Sequence, residues 1–315
     1  MRPGRRISTK TVRILLLSDI HSNLQGMEAC LSAVTGYDKV VNLGDIVGYG
    51  GSPNEVTERS RATGTVFVRG NHDKACTGIT GVEEFNPIAG LAALWTKQTL
   101  TPENLEWLKA LPQGPVQLNS LWEAGQPAAE APVKKRDTLP DASLAAGTRK
   151  RDTVPDASLA AAAAVATQEA PPVTNKVQCV HGSPLDEDEY IIVMRDAYEP
   201  LLSTDAAITF FGHTHIQGGF CTHGEEWETL RPLYRNKKSL ESCDLAVMPG
   251  ARYLINPGSA GQPRDGDWRA ACAVYDTAEN RITFYRVPYE VEKAQKAILA
   301  AKLPERLATR LNEGR

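Results

Sequence analysis

The chain has 315 residues, which suits one α/β domain of about 200 to 250 residues with an insert filling the rest. Its 42% hydrophobic and 23% charged residues are typical of a soluble globular protein. The net charge of -3 provides no broad attraction to nucleic acid or to a membrane, so we expect no extended nucleic-acid binding.

The N-terminal part of the chain begins with a basic tail at residues 1–11, whose following apolar run is too short for a signal peptide. No apolar run reaches the ~18 residues that span a bilayer, so we expect a cytoplasmic protein without a membrane partner. Apolar runs predict buried strands at 12–18, 39–43 and 64–69, and helical spacing predicts helices at 23–34 and 53–62. This alternation predicts a parallel sheet with right-handed crossovers.

The middle of the chain changes character. Helices are predicted at 87–99 and 102–110, with Thr101 as an N-cap, and a strand at 113–118. Residues 122–174 are then rich in Ala, Pro and charge, and contain a tandem repeat, RDTLPDASLAA from Arg136 and RDTVPDASLAA from Arg151. Two copies are too few to bury a core, so we predict a disordered low-complexity insert within a domain of residues 12–315. It interrupts a predicted hairpin between strands at Val116 and Val177.

The last part of the chain predicts further strands and a helical end. Strands are expected at 177–180, 208–211, 252–255, 271–275 and 281–287, the last three as an antiparallel meander, and helices over 290–312 with a break at Pro304. The whole predicts an α/β (α+β) domain of two sheets with outer helices. The six cysteines are scattered and never form a CxxC pair, which indicates buried or incidental thiols and no disulfide framework.

Five of the predicted strands are followed directly by residues of the types that bind metals. The motifs are Asp19-Ile20-His21, Gly44-Asp45, Gly70-Asn71-His72-Asp73, His181-Gly182 and Gly212-His213-Thr214-His215. Each motif alone is compatible with a turn, a helix cap or a structural histidine. Because functional groups collect beyond the strand C-termini of open α/β sheets, the five motifs together predict one metal site. Five of the six histidines lie in these motifs.

In this order the motifs resemble the pattern of the calcineurin-like metallophosphoesterase superfamily, which is D-x-H, G-D, G-N-H-[DE], H and G-H-x-H. The segments GDIVGYG, HGSP and NPGSAGQPR resemble its small prokaryotic branch. The resemblance implies a two-sheet αββα sandwich that binds two divalent metal ions. The ligands it implies are Asp19, His21 and His215 for the first ion, Asp45 for both ions, and Asn71, His181 and His213 for the second.

The resemblance further implies hydrolysis of a phosphate ester by a water that the two ions share and acidify. We expect manganese, while iron, zinc, nickel and magnesium remain alternatives, and the absence of thiolate ligands disfavours a structural zinc. His72 adjoins Asn71 and is expected to donate a proton to the leaving oxygen. Asp73 either holds the imidazole of His72 in the required tautomer or caps the following helix.

Three residues near the metal loops, Asn23, Tyr49 and Arg264, are expected to contact the substrate. Arg264 suits bidentate binding of a phosphate, although a surface salt bridge with Asp265 or Asp267 explains it equally well. The expected substrate is a small phosphodiester or nucleotide. The alternatives are a phosphomonoesterase or protein phosphatase, and a non-catalytic scaffold, which is disfavoured because no ligand position is missing. The sequence does not indicate an oligomeric state.

Overall fold

The computed structural model describes residues 11–122 and 173–315. The N-terminal tail through residue 10 and the insert from 123 to 172 lie outside the described residues, so the prediction made for each of them stays a prediction. The described strands are β1 (Arg13–Leu17), β2 (Lys39–Asn42), β3 (Val66–Phe67), β4 (Val116–Gln117), β5 (Val177–Cys179), β6 (Ile208–Phe210), β7 (Gly218–His223), β8 (Glu226–Leu230), β9 (Glu241–Ala246), β10 (Arg252–Asn256), β11 (Ala270–Asp276) and β12 (Arg281–Val287).

The described helices surround these strands and connect many of them. They are α1 (Leu24–Ala33), α2 (Pro53–Thr63), α3 (Asn71–Thr77), α4 (Pro87–Thr99), α5 (Pro102–Lys109), α6 (Met194–Ser203), α7 (Val291–Ala300) and α8 (Glu305–Glu313). Thr101 caps α5 as predicted, because its side chain accepts a hydrogen bond from the Asn104 main-chain N–H. None of the helices in the described part of the chain combines the length and apolar character needed to cross a bilayer.

The strands form two mixed sheets, in the orders β3-β2-β1-β11-β12-β9 and β4-β5-β6-β10-β7-β8. The parallel pairing of β1 with β2 and of β2 with β3 confirms the predicted parallel start. The antiparallel pairing of β4 with β5 confirms the hairpin that the insert interrupts. The predicted late meander is wrong for β10, which lies between β6 and β7 in the second sheet. An apolar run indicates that a strand is buried, but not which sheet it joins.

Alternate side chains of β1 explain its uninterrupted apolar run. Ile14 and Leu16 face the second sheet, in a core that also contains Phe210. Leu15 and Leu17 face the opposite way, into the core that the first sheet forms with its helices. A third cluster fills the space between the second sheet and α6. The layers are therefore helix, sheet, sheet and helix, which confirms the predicted αββα sandwich.

Some elements were not predicted from the sequence. Strands β8 and β9 are mostly polar and partly exposed, so their residues lack the apolar pattern of a buried strand. Helix α3 starts inside the Gly70-Asn71-His72-Asp73 motif, which agrees with the alternative that Asp73 caps a helix, although the sequence analysis assigned no bounds to that helix. The C-terminal helices α7 and α8 are separated at Pro304, as predicted.

Candidate metal centre

All five motifs lie at one edge of the sandwich, because the first sheet and the second sheet end their parallel strands at the same side. Asp19 and His21 follow β1, and Asp45 follows β2. His181 follows β5 and the His213 loop follows β6 in the other sheet. Two groups of potential ligand atoms lie there, and within each group the atoms are all within 4.8 Å of one another. The first group is Asp19, His21, Asp45 and His215, and the second is Asp45, His181 and His213.

Asp45 is the residue that both groups share. Its Oδ2 lies 3.5 Å from His21 Nε2 and 3.4 Å from His181 Nε2. In the first group, His215 Nε2 lies 3.1 Å from His21 Nε2 and 3.4 Å from Asp19 Oδ1. One carboxylate between two sets of ligands is the arrangement that holds a pair of cations.

The four histidines of the two groups each present one nitrogen to the centre, because a main-chain carbonyl holds the other. The bonds are His21 Nδ1 to Val47 at 3.2 Å, His181 Nδ1 to Leu43 at 2.7 Å, His213 Nε2 to Asp188 at 3.1 Å, and His215 Nδ1 to Gln262 at 2.6 Å. A carbonyl only accepts, so in the neutral form of each ring the held nitrogen carries the proton and the other has a free lone pair. Each ring is thus set in the tautomer that ligates a metal.

The ligand loops have unusual backbone conformations. Among the described residues, nine non-glycine residues have positive φ, and they include Asp19, His21, Asp45, His213 and His215. Such conformations cost free energy and are maintained at functional sites by the surrounding structure. Gly70 lies against Asp45 so closely that a Cβ there would be 2.1 Å from the carboxylate Oδ1. The glycines of the motifs are therefore required for close approach.

Burial governs the electrostatics of the centre. Burial lowers the pKa values of His21 and His215 well below the usual range, so both rings are neutral. Burial raises the pKa of Asp19 to about 7. Burial also opposes ionisation of Asp45, but His181 and His72 hold the pKa of its carboxyl well below the usual range. Burial would lower the pKa of His181, but the Asp45 carboxylate raises it to about 10, so this ring would give up a proton on binding a cation.

The donor set fits divalent cations. Asn71 Oδ1 and His181 Nε2 are buried without a hydrogen-bond partner in the described parts of the chain. Unpaired buried acceptors are costly, and a cation bound between them would satisfy them. Carboxylate, imidazole and amide oxygen are the ligands that Mn²⁺, Fe and Zn²⁺ accept.

Comparison with known proteins decides the family. A family model described as calcineurin-like phosphoesterase matches residues 12–217. An uncharacterized protein of Methanocaldococcus jannaschii is 31% identical over 304 residues, which are 96% of this chain and 98% of that protein. This chain belongs to the calcineurin-like phosphoesterase family.

Two solved structures resemble this phosphoesterase family member over nearly its whole length. A metallophosphoesterase from Sphaerobacter thermophilus is 32% identical with a TM-score of 0.68, and covers 97% of this chain and 100% of its own. A hypothetical protein from Pyrococcus horikoshii OT3 is 16% identical with a TM-score of 0.62, over 96% of this chain and 99% of its own. The second likeness shows that the two proteins share a fold.

In this family member, His72 lies beside the two groups of potential metal ligands and belongs to neither group. Its main-chain N–H donates to Asp45 Oδ1 at 2.8 Å, and its ring lies 4.3 Å from the Tyr49 ring and 4.7 Å from the Phe85 ring. The Nδ1 atom is buried and has no partner in the described ranges. Burial lowers the pKa of His72 to about 4, against the opposing effect of the Asp45 carboxylate.

Asp73 does not orient His72. Its two carboxylate oxygens accept from the Val47 main-chain N–H at 3.2 Å and from the Gly70 main-chain N–H at 3.0 Å. Of the two roles expected from the sequence, these bonds correspond to the capping of α3. Asp73 also fixes the loop that contains Asp45, which the sequence did not indicate.

The three expected substrate residues differ in what their side chains contact. Asn23 Oδ1 accepts from the Gly26 N–H, and its Nδ2 donates to the Gly261 carbonyl at 2.7 Å, so this amide stabilises loops and is not free for substrate. Tyr49 lies between the metal centre and Arg264, whose Nη2 is 3.5 Å from the Tyr49 hydroxyl.

The salt bridges considered for Arg264 do not form. Asp265 pairs with Arg286, and Asp267 pairs with Arg269 at 2.6 Å. These pairs leave Arg264 directed toward Tyr49. The sequence left the alternatives open because all of these charges are close neighbours along the chain.

Lys74 and its partners were missed by sequence reasoning. Lys74 is buried, and its Nζ donates to Glu187 at 3.1 Å and to both carboxylate oxygens of Asp188. Arg69 makes two bonds to the same Glu187, at 3.0 and 2.9 Å. Because the Asp188 carbonyl holds His213, these ion pairs position a potential metal ligand. Their only sequence signal is that the two cations flank the Gly70-Asn71-His72-Asp73 motif, Arg69 directly before it and Lys74 directly after it.

A cleft of about 470 Å³ opens beside the second ligand group. Asn71, His72 and His213 lie on one side of it, and aromatic rings of Phe85 and Tyr190 form other parts of its wall. The Tyr190 ring stacks on His213 with ring centres 3.8 Å apart. The volume is within the range of small-molecule sites.

Proposed function

We propose that this protein hydrolyses a small phosphodiester or nucleotide with the help of two divalent metal ions, and that manganese is the preferred ion. The proposal depends mainly on one observation, which is that Asp45 lies in both groups of ligand atoms. When bound, the two ions would supply an acidified water as nucleophile and neutralise charge on the phosphate oxygens.

The ligands are proposed to divide as the motifs suggest. Asp19, His21 and His215 would hold one ion, and Asn71, His181 and His213 would hold the other, with Asp45 between them. The main-chain carbonyls fix the ring tautomers before the ions bind, so little rearrangement is needed.

His72 is proposed to give a proton to the leaving oxygen. It borders both the ligand groups and the cleft, so it lies where a leaving group would depart. Burial lowers its pKa to about 4, and the negative charge of a bound phosphate would raise that pKa again. The proton is therefore proposed to be taken up together with the anionic substrate.

Two features of the surroundings support a nucleotide as the substrate. The cleft has aromatic walls at Phe85 and Tyr190, on which a base would stack. Arg264 is proposed to bind a phosphate oxygen, because it forms no ion pair with a carboxylate in the described residues and points toward Tyr49.

The test is a metal and substrate screen with matched variants. The purified protein is loaded separately with Mn²⁺, Fe²⁺, Zn²⁺, Ni²⁺ and Mg²⁺, and its metal content is measured together with hydrolysis of bis(p-nitrophenyl) phosphate, p-nitrophenyl phosphate and a cyclic nucleotide. Asp45→Asn should lose metal and activity. Asp244→Asn is the control, because that side chain is 57% exposed on β9.

Two results would contradict the proposal in different ways. Hydrolysis of the monoester alone would make the protein a phosphomonoesterase or protein phosphatase. An intact fold that binds no metal and hydrolyses no ester would favour a non-catalytic scaffold.

A further inference from the structure

Two arginines from different elements meet at the ring of Tyr49, beside the metal centre. Arg264 belongs to the loop before β11 and Arg310 belongs to α8, and each guanidinium carbon lies 5.7 Å from the centre of the Tyr49 ring. That ring is 4.7 Å from the His21 ring and 4.3 Å from the His72 ring. Both cations therefore stand at the border of the proposed catalytic site.

The C-terminal helix that carries Arg310 lies directly against the metal loops. Leu311 of α8 lines the same small cavity as His21 and Tyr49. Buried side chains of α8, such as Leu307, also belong to the core between the first sheet and its helices. The position of Arg310 is thus set by packing, and not by a free chain end.

Neither arginine forms an ion pair with an aspartate or glutamate side chain within the ranges that the structure describes. Arg264 donates to Gln262 Oε1 at 3.1 Å, but its Nε is buried and has no partner there. Arg310 donates from Nε to an oxygen of Arg315, the last residue of the sequence, and in the described chain the Nη atoms of Arg310 make no hydrogen bond. These nitrogens at the edge of the site are left to bind something else.

Nearby arginines with a structural role look different. Arg269 is fully buried and paired with Asp267, and Arg286 is paired with Asp265. Each of these cations has a carboxylate, as buried charges require. Arg310 has no aspartate or glutamate partner within the described residues, so its terminal nitrogens can bind an anion from outside the chain.

The positive charges of Arg264 and Arg310 also repel each other. Burial and the positive charge of Arg264 lower the pKa of Arg310 to about 10. An anion between them would remove this repulsion and receive charge-assisted hydrogen bonds from both.

We infer that Arg310 and Arg264 form a second anion subsite, which binds a phosphate group next to the one at the metal centre. The inference rests on the proposed function and deepens it, because it names the substrate class as esters that carry two adjacent phosphates. Arg264 is tied to the metal loop, since its main-chain N–H donates to the His215 carbonyl at 3.2 Å. Arg310 comes from outside that loop and is the specificity-determining residue for the second phosphate.

The test compares two ligands that differ by one phosphate group. AMP and adenosine 5′-(α,β-methylene)diphosphate are titrated calorimetrically into the metal-loaded full chain, and metal content is checked after each titration. The variant is Arg310→Gln. Arg306→Gln is the control, because Arg306 lies one turn earlier on α8, is 54% exposed and pairs with Glu313 at the surface.

The wild-type protein should bind the diphosphate analogue more tightly than AMP. Arg310→Gln should weaken the diphosphate analogue roughly 10- to 100-fold, as expected for a lost charge-assisted hydrogen bond, and change AMP binding by less than about threefold. Arg306→Gln should change neither affinity. Arg310→Lys, which keeps the charge, should recover part of the loss.

Two outcomes would overturn the inference. Equal weakening of both ligands would place Arg310 on the phosphate at the metal centre, and unchanged binding of both would remove any role in recognition. The readout is a dissociation constant and not a rate of hydrolysis, so it does not depend on the proposed hydrolysis. A protein that hydrolyses no ester but shows the selective loss would refute the function and keep the subsite.

Discussion

Replacement of Gly70 by alanine tests the placement of Asp45 most directly. The φ of Gly70 is -104°, a conformation that any residue adopts, so alanine introduces no backbone strain. Its Cβ would lie 2.1 Å from Asp45 Oδ1 and 2.5 Å from the Asp45 main-chain nitrogen, whereas real Cβ atoms essentially never approach closer than 3.0 Å. The carboxylate must therefore move by roughly 1 Å, a displacement that costs on the order of 100-fold in a site of fixed geometry.

Two effects of Gly70→Ala are expected. Overpacking should lower the free energy of unfolding by about 1–3 kcal/mol, which urea denaturation measures. Displacement of the shared ligand should raise the dissociation constants of both ions roughly 100-fold, which calorimetric titration and metal analysis after dialysis measure.

Gly90→Ala is the matched control. Gly90 is a buried glycine inside α4, and the nearest atom to an added Cβ is 3.7 Å away, an ordinary contact. It should bind both ions like the wild type and gain up to about 1 kcal/mol in stability, because alanine favours a helix interior. A Gly70→Ala protein that binds two ions with wild-type affinity would refute the reasoning, because Asp45 could not then lie where the structure has it.

Further predictions concern the proton donor, acid stability and the insert. His72→Ala should keep both ions but lose roughly 100-fold or more in turnover on diesters with poor leaving groups and much less on nitrophenyl esters; equal losses in steady-state kinetics would contradict a proton donor. Burial raises the pKa of Glu187, but Arg69 and Lys74 more than offset it and hold the pKa below its usual 4.5. The ion pairs of Glu187 therefore stabilise the fold above pH 4.5, and this stabilisation is lost as the pH falls through the lower pKa of the folded state. In urea denaturation between about pH 3 and pH 7, Glu187→Gln should be less stable than the wild type at neutral pH and should lose less stability on acidification. Deletion of residues 125–172 should leave the melting temperature and turnover largely unchanged, and loss of soluble expression would show that the insert contributes to the fold.

Much of the site could be predicted because its signals are local. The β1 run is apolar at every position from Ile14 to Leu17, which directly reflects burial on both faces of the strand. The residue types that follow the strands are dictated by metal chemistry, so Asp45 and His181 were recognised without any knowledge of their distance. The order of strands and helices was sufficient for the parallel start of the first sheet.

The rest depends on contacts between residues far apart in the chain. Whether Asp73 orients His72 or caps α3 depends on which groups lie within hydrogen-bonding distance, and here they are the N–H groups of Val47 and Gly70. A local pattern is compatible with both roles.

The sequence by itself determined the chemistry of the centre, because the ligand types and their positions after apolar strands are written into short segments. Only the tertiary structure decided that β10 joins the second sheet and that Lys74 supports the His213 loop through Asp188. It also brought Arg310 of the last helix to Tyr49. These contacts join residues up to hundreds of positions apart, and packing selects them from many that the local sequence permits.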